Sequence, residues 1–284
     1  MEDSQKQMFE MVESMPAFPK SVHRIIELTS NINSNPKELV EVIEHDPVLI
    51  LNILKLVNSA SFGLSQKITS INHAVVYIGL NTVKNLALIT STLGVLPRRN
   101  HAGFDIDKFL LHCLSVATIS KLLAKRSGVA DNVIFDYFLA GMLHDIGKIV
   151  FAQYLPDKFK LALAMAKEEK VTLYNAEQKV IGYDHAYIGS MLAEKWKLPS
   201  SLVDCISRHH SVTEEESKGS EFIDYVFLAN QITKQLGIGF AGEILLDTIP
   251  KRIFDRFGTD LPAIITSFEN LDSEIEKAQL FIKT

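Results

Sequence analysis

The stretch Ala140–Lys148, with the sequence AGMLHDIGK, sets a histidine beside an aspartate in a segment of otherwise small and apolar residues that ends in a lysine. Such a composition is typical of a helix inside a protein, where an imidazole or a carboxylate is costly unless it finds a partner. Consecutive helical residues point about 100° apart, so His144 and Asp145 cannot form a site on their own. The stretch therefore predicts a buried polar site that other helices complete.

Three further segments offer residues for this site. His112 lies on a helical stripe of apolar residues with spacings of three and four (Phe109, Val116, Ile119 and Leu123),. Asn230 shares a face with apolar and small residues (Phe222, Val226, Ala229 and Thr233), His185 opens one predicted helix, and His209-His210 closes the next. Neutral imidazoles and carboxylates are ligands of iron, manganese, zinc and nickel, so the pattern favours a divalent transition metal held between several helices.

Taken singly, each of these residues also has a structural interpretation. His112 could be a core histidine with an ordinary partner, and Asp184 could cap a helix with His185 there by coincidence. Arg208, His209 and His210 could complement a helix dipole. A second His-Asp pair, His45-Asp46, precedes Pro47 and is explained by Asp46 as a helix cap and His45 as a surface residue. Only the conjunction of residues in one half of the chain indicates metal.

The rest of the chain has helical periodicity in one segment after another and almost no alternating strand pattern, which predicts an all-α fold. Residues 105–127, 135–154, 185–196 and 221–236 are the clearest helices of the second half. Val48–Val57 is apolar almost all round and is expected in the middle of a bundle,. A polar, turn-rich stretch at 97–103 divides the chain into two predicted helical lobes, residues 1–97 and 104–284.

The composition limits the possible partners and location. The chain has 284 residues, of which 47% are hydrophobic and 22% charged, as in globular proteins,. Its net charge of −5 argues against binding DNA,. It has no apolar run of the ~18 residues that a membrane span needs, and its N-terminus does not resemble a secretory signal. Cys113 and Cys205 are expected to be buried thiols, so the cytoplasm is the predicted location.

The stretch 140–148 resembles the signature of the His-Asp (HD) metal-dependent phosphohydrolase superfamily. The resemblance implies that His112, His144, Asp145 and a later aspartate hold a metal, and that Lys148 contacts phosphate. His185, His209 and His210 resemble the additional histidines of two-metal members that cleave cyclic dinucleotides, which implies a second ion.

Segments of both halves resemble the HDOD domain: MPAFP at 15–19, DPVL at 46–49, LVNSA at 56–60, ITSINHAV at 68–75 and WKLP at 196–199. This resemblance covers about residues 13–240 and implies a two-lobed helical bundle whose second lobe is HD-like. It also implies a bacterial signal-transduction module. Many HDOD domains have lost the metal ligands and are thought to act by binding partner proteins.

Two departures separate this chain from the hydrolases. Asn230 stands where their final aspartate is expected, and the residues after His210 read SVTEEE at 211–216 in place of a Gly-Tyr-Pro motif. We therefore expect a module that acts through signalling proteins and has a retained or vestigial metal site. The alternative is a metal-dependent phosphohydrolase acting on a phosphorylated small molecule or nucleotide, with Asp145 and Lys148 catalytic and with Lys148 and Arg208 binding substrate.

Overall fold

The computed structural model describes residues 2–30, 35–59, 62–97, 99–215, 220–279 and 282. Every regular element of these residues is a helix, and no strand occurs among them, which confirms the all-α fold class. The helices are α1 (Glu2–Ser14), α2 (Lys20–Ser30), α3 (Pro36–Glu44), α4 (Pro47–Val57), α5 (Ile71–Ile78), α6 (Leu80–Val95), α7 (Ile106–Arg126), α8 (Ile134–Leu143), α9 (Gly147–Tyr154), α10 (Pro156–Glu169), α11 (Leu173–Val180), α12 (His185–Lys195), α13 (Ser200–Arg208), α14 (Ser220–Leu236), α15 (Lys251–Phe257), α16 (Leu261–Thr266) and α17 (Leu271–Ala278).

Side-chain caps fix where several of these helices begin. Asp46 accepts a hydrogen bond from the backbone N–H of Leu49 at 3.0 Å, which confirms its role as a cap,. Asp184 accepts one from the N–H of Tyr187 at 2.8 Å and so starts α12 at His185. The Asn58 side chain bonds both backbone groups of Ile68 and ties the loop after α4 to the end of that helix. Ala60, in the same sequence motif, lies outside the described residues.

The expectation that α4 lies in the middle of a bundle is wrong. The helix buries Leu49 and Ile53 against α3, α5 and α6, but Val48 and Leu51 are 68% and 67% exposed. Leu56 and Val57 are buried as well, but the side of α4 that carries Val48 and Leu51 faces solvent. This edge of the N-terminal half therefore carries apolar surface.

The second half is built around α7. This helix packs against α8, α14 and α17, while α12 packs against α9 and α13. The predicted apolar stripe of α7 is buried (Phe109, Val116, Ile119 and Leu123), and Cys113 and Cys205 are buried free thiols. The arrangement brings the helices with the predicted ligands around one interior region.

The first helix is fastened to the second half of the chain. Nζ of Lys195 donates to three carbonyl oxygens at the end of α1 (Val12, Glu13 and Met15). The indole N–H of Trp196 donates to the carbonyl of Pro16 at 3.0 Å, and its ring stacks on Phe18 with centroids 4.4 Å apart. The stretch 97–103 is non-helical where the structure describes it. Domain limits of 1–97 and 104–284 stay a prediction.

Of the helices described, none by itself has the length and apolar composition needed to cross a membrane. Two of them, α5 and α6, meet that requirement only when taken together, and they are bent by 118° where they join. Much of α6 is buried within the protein.

Candidate metal centre

The predicted continuous helix over residues 135–154 is wrong, and the break lies at the His-Asp pair. Helix α8 ends at Leu143 and α9 begins at Gly147, with turns at residues 144–146. Because α8 packs against α7 whereas α9 packs against α12, the chain has to change direction there. The turn places His144 and Asp145 between those two neighbouring helices.

Two glycines allow this close packing. A Cβ atom on Gly141 would lie 2.6 Å from Cα of Ala117 in α7, and one on Gly147 would overlap the carbonyl oxygen of His185 in α12. Both distances are too short for any larger residue. The glycines therefore let α7 and α12 approach the turn closely enough for side chains from all three segments to meet.

Asp145 lies at the centre of the resulting cluster. Its Oδ2 is 3.9 Å from Nε2 of His112, 3.3 Å from Nε2 of His144 and 2.6 Å from Nζ of Lys148. Its Oδ1 is 3.1 Å from Nε2 of His185 and 3.4 Å from Nε2 of His209. Nε2 of His210 is 3.0 Å from Nε2 of His185. The structure thus brings together all five predicted histidines, the aspartate and the lysine.

These side chains form two groups that share the aspartate. In one group, ligand atoms of His112, His144 and Asp145 lie within 4.8 Å of one another; in the other, those of Asp145, His185, His209 and His210 do. A metal with bonds of about 2.0–2.1 Å places its ligand atoms about 3.0–3.4 Å apart. Most of the spacings around Asp145 fall close to this range, so each group could hold one ion.

The hydrogen bonds of the histidines fit metal ligation. Nδ1 of His144 contacts the carbonyl of Gly141 and Nδ1 of His209 contacts that of Ile206, both at 2.8 Å. Nδ1 of His185 lies 2.6 Å from a carboxylate oxygen of Glu177. A metal-bound histidine usually donates its other ring N–H to a carbonyl or a carboxylate in this way. The Nε2 lone pairs are left pointing into the cluster.

Several buried atoms of the cluster lie close to one another but make no hydrogen bond of good geometry among the described residues: Nε2 of His112, His144 and His209, and Oδ1 of Asp145. Buried polar atoms without partners are rare in folded proteins because each costs about 1–3 kcal/mol. A cation bound between these atoms would satisfy all of them. The residues present therefore fit a metal.

The charges of the cluster also suit a cation. Burial raises the pKa of Asp145, but His144, Lys148 and His185 outweigh it and hold that pKa well below its usual range. Burial lowers the pKa of His112 well below its usual value and that of His209 to about 4. His112 and His209 are therefore neutral at pH 7, which is the form that binds metal. Burial lowers the pKa of His185, but Glu177 and Asp145 outweigh it and raise that pKa to about 9, so this ring has to release a proton when it binds an ion,.

Asn230 is buried on α14, and its Oδ1 has no hydrogen-bond partner in the described part of the chain. Nζ of Lys234, one helical turn further on, lies 3.7 Å from Oδ2 of Asp247, and that oxygen is 3.9 Å from Nδ1 of His210. Residues four apart share a helix face, so this face of α14 is turned towards the cluster. Its role as a ligand stays a prediction.

Arg208 immediately precedes His209, and its role in binding substrate stays a prediction. Its side chain is exposed at the end of α13 and lines a small depression with Ser211, Asp224 and Arg252. Substrate binding by Arg208 therefore gains no support from its position.

Four charged residues at the cluster were missed by sequence reasoning: Glu177, Lys234, Glu243 and Asp247. Glu177 is fully buried and accepts from both the backbone N–H and the ring of His185, at 2.8 and 2.6 Å. Lys234 pairs with Glu243 at 2.7 Å, and Asp247 lies 3.9 Å from Nδ1 of His210. Glu177 follows Leu173 and Ala176 on an otherwise apolar helix face, a pattern that could have indicated it.

An all-helical chain whose buried histidines converge on one aspartate has the architecture expected of the His-Asp class. A family model of the HDOD domain matches residues 15–212, and the chain belongs to this family. An HDOD domain protein with unknown function from Geobacter sulfurreducens has the same fold, with a TM-score of 0.77, 24% identity, and coverage of 99% of this chain and 97% of that one.

Two curated relatives are longer than this chain. An uncharacterized protein of Treponema pallidum is 26% identical over 270 residues, which is 94% of this chain and 51% of that protein. Ribonuclease Y of Mycoplasma mycoides is 26% identical over 162 residues, 55% of this chain and 25% of that enzyme. The chain therefore spans about half the length of the first relative and a quarter of the second.

Proposed function

We propose that this chain is a bacterial signal-transduction module that holds two divalent transition-metal ions around Asp145 and acts through partner proteins in the cytoplasm. His112 and His144 would hold one ion, and His185, His209 and His210 the other, with Asp145 shared between them. Iron, manganese, zinc and nickel all accept this ligand set. In this role the metal stabilises the ligand-bearing helices.

The observation that supports a non-hydrolytic role best is the burial of the cluster. His112, His144, Asp145, His185 and His209 are all 2% exposed or less. A catalytic metal site keeps an open coordination position that substrate or water can reach. Here Lys148, itself 1% exposed, already forms an ion pair with Asp145.

Apolar surface in the N-terminal half supports action through partners. Helices α4 and α5 pack against each other, and both expose apolar side chains: Val48 (68%), Leu51 (67%), Val76 (80%) and Tyr77 (48%). Apolar side chains exposed on two neighbouring helices are a feature of surfaces that bind partner proteins.

A metal-dependent phosphohydrolase remains the second candidate, because the two ligand groups share a carboxylate as in two-metal hydrolases,. A bound ion would supply Lewis-acid polarisation of a phosphoryl oxygen and a more acidic water. Lys148 would neutralise phosphate charge. The likeness to ribonuclease Y favours this candidate.

A turnover assay separates the two candidates. The protein is loaded with manganese or iron and offered cyclic di-GMP and bis(p-nitrophenyl) phosphate, alongside an Asp145→Ala variant. We expect the wild type to show no more turnover than the variant, because the cluster is closed and Asn230 replaces the final aspartate. Robust turnover that the variant loses would establish the hydrolase.

Cross-linking in cells tests the role of partners. Proteins captured by the wild type are compared with those captured by Asp145→Ala and by an exposed-surface control, Glu169→Ala. A partner held by the wild type and the control but lost by Asp145→Ala is expected. If all three proteins capture the same partners, partner binding does not depend on the metal centre.

A further inference from the structure

A non-helical segment that connects α14 to α15, the strap (residues 237–250), lies beside the metal cluster, with Asp247 3.9 Å from Nδ1 of His210. The backbone N–H of Phe240 donates to the carbonyl of Lys108 at 3.0 Å. Asp247 exchanges two hydrogen bonds with Gln231, at 3.0 and 2.9 Å. The strap is thus attached at both ends to α7 and α14, the helices that carry His112 and Asn230.

The strap places Glu243 in a built anion-binding position. One oxygen of Glu243 accepts from Nζ of Lys234 at 2.7 Å, and the other accepts from the backbone N–H of Leu173 at 2.6 Å. The side chains of Lys234 and Glu243 are only 2% and 3% exposed. Leu173 is the first residue of α11, so the carboxylate also lies at a positive helix end,.

This position adjoins the metal cluster. Burial lowers the pKa of Lys148, but Asp145 and then Glu243 outweigh that effect and raise it. Lys234 lowers the pKa values of His112 and His210. Nζ of Lys234 also lies 3.7 Å from Oδ2 of Asp247, and that oxygen is 3.9 Å from Nδ1 of His210. The Glu243 carboxylate therefore lies at the edge of the cluster, on the side of His210. A phosphoryl group bound at the cluster would meet the positive charges of Lys148 and Lys234.

Polar contacts hold the strap in place more than apolar burial does. Ile244 is 75% exposed, while Phe240, Leu245 and Leu246 are 38–40% exposed. Nζ of Lys234 donates to the carbonyl of Leu245 at 3.2 Å in addition to its bond with Glu243. A segment with few buried apolar side chains opens at lower cost than a packed helix.

We propose that the strap closes an oxyanion site beside the cluster, in which Glu243 occupies the position of a phosphate-type oxyanion that takes its place when the strap lifts. This inference goes beyond the function proposed above. The oxyanion site is formed by Lys234 and the N–H of Leu173, so it exists whether or not metal is bound.

The first test removes the carboxylate. In Glu243→Ala, Lys234 and the N–H of Leu173 are left buried without their partner, and inorganic phosphate can enter. Thermal melts are recorded with chelator present and at constant ionic strength. Phosphate at about ten times its Kd should raise the melting temperature of the variant by about 3–6 °C. The wild type and the control Glu169→Ala should respond less, because in both of them Glu243 competes with phosphate for the site.

Because chelator is present, the response to phosphate does not depend on metal. A failure of phosphate binding can therefore be distinguished from a failure of the proposed metal centre. A Glu243→Ala variant that responds to phosphate no more than to chloride would overturn the proposal, as would an equal response of the wild type. If the alanine variant does not fold, Glu243→Gln keeps the shape and removes the charge, and it should respond to phosphate more than the wild type because a neutral amide competes less well for Lys234.

The second test opens the strap by steric overlap and leaves Glu243 intact. A Cβ atom on Gly239 would overlap the backbone nitrogen of His112, whereas one on Gly237 would meet nothing within 4 Å. Both glycines have positive φ, at +68° and +66°, so Gly237→Ala is a matched control for backbone strain. Amide exchange at Phe240 and Asp247 should be at least tenfold faster in Gly239→Ala than in the control. Equal exchange in the two variants would contradict a strap that lifts as a unit.

Discussion

Lys148→Met separates the contribution of the buried lysine from that of a bound metal. Nζ of Lys148 is 2.6 Å from Oδ2 of Asp145, and neither side chain is more than 1% exposed. In protein without metal, the variant leaves a buried carboxylate with only the surrounding histidines to balance it. In protein with metal, the cation balances the same charge.

The size of the effect follows from this burial. Removing one partner of a buried ion pair costs about 3–5 kcal/mol. At about 2–4 °C per kcal/mol for a chain of roughly this size, the melting temperature of the metal-free variant should fall by about 6–20 °C. With metal bound, the loss should shrink to about 1 kcal/mol, as for a core substitution of similar volume.

The assay is a thermal melt of wild type and variant, each with chelator and with excess manganese or zinc. Lys179→Met is the control, since Lys179 and Glu169 form a pair at 3.5 Å with both side chains more than half exposed. Exposed pairs contribute little to stability. If Lys148→Met loses the same amount of stability with and without metal, Asp145 is not a metal ligand and the reasoning fails.

Two further predictions follow from neighbouring residues. With chelator, Asn230→Asp should melt at a lower temperature than the wild type, because it buries an unpaired carboxylate. With metal it should melt at a higher temperature, because a carboxylate is a stronger ligand than an amide. Equal destabilisation in both conditions would place Asn230 away from the ions. In protein without metal, stability should fall as the pH drops from about 6.5 towards 4, because the pKa of His209 is lowered to about 4 and only the unfolded chain takes up its proton in that range,. His209→Gln should flatten this dependence in urea titrations, and an unchanged slope would show that His209 does not titrate as described.

Helical periodicity was enough to predict the elements and several inward-facing ligands. The predicted helix 105–127 is α7, with Asp105 as its cap, and His112 lies on its buried stripe. Periodicity succeeds here because α7 is long and contacts neighbours along its whole length. The convergence of ligands from several helices was predicted from helix geometry and the resemblance to a known family added their roles, and the structure brings those histidines together around Asp145.

Periodicity could not predict the break at residues 144–146 or the exposure of Val48 and Leu51. Both depend on which helices pack together: α8 and α9 contact different neighbours, and the side of α4 that carries Val48 and Leu51 faces solvent. Glu243 lies in a non-helical segment where no period exists, so its burial against Lys234 follows from tertiary structure alone. Of the charged residues at the cluster that sequence analysis missed, only Glu177 could have been identified from its pattern, because it is an acidic residue on an apolar helix face.

The metal content of protein purified without a polyhistidine tag tests the proposed centre most directly. Native mass spectrometry with elemental analysis should find up to two transition-metal ions per chain in the wild type. One ion should remain in His112→Ala and one in His210→Ala, because each variant damages one group, and none should remain in Asp145→Ala. A wild type that binds no metal, or an Asp145→Ala variant that binds as much as the wild type, would contradict a centre built on Asp145.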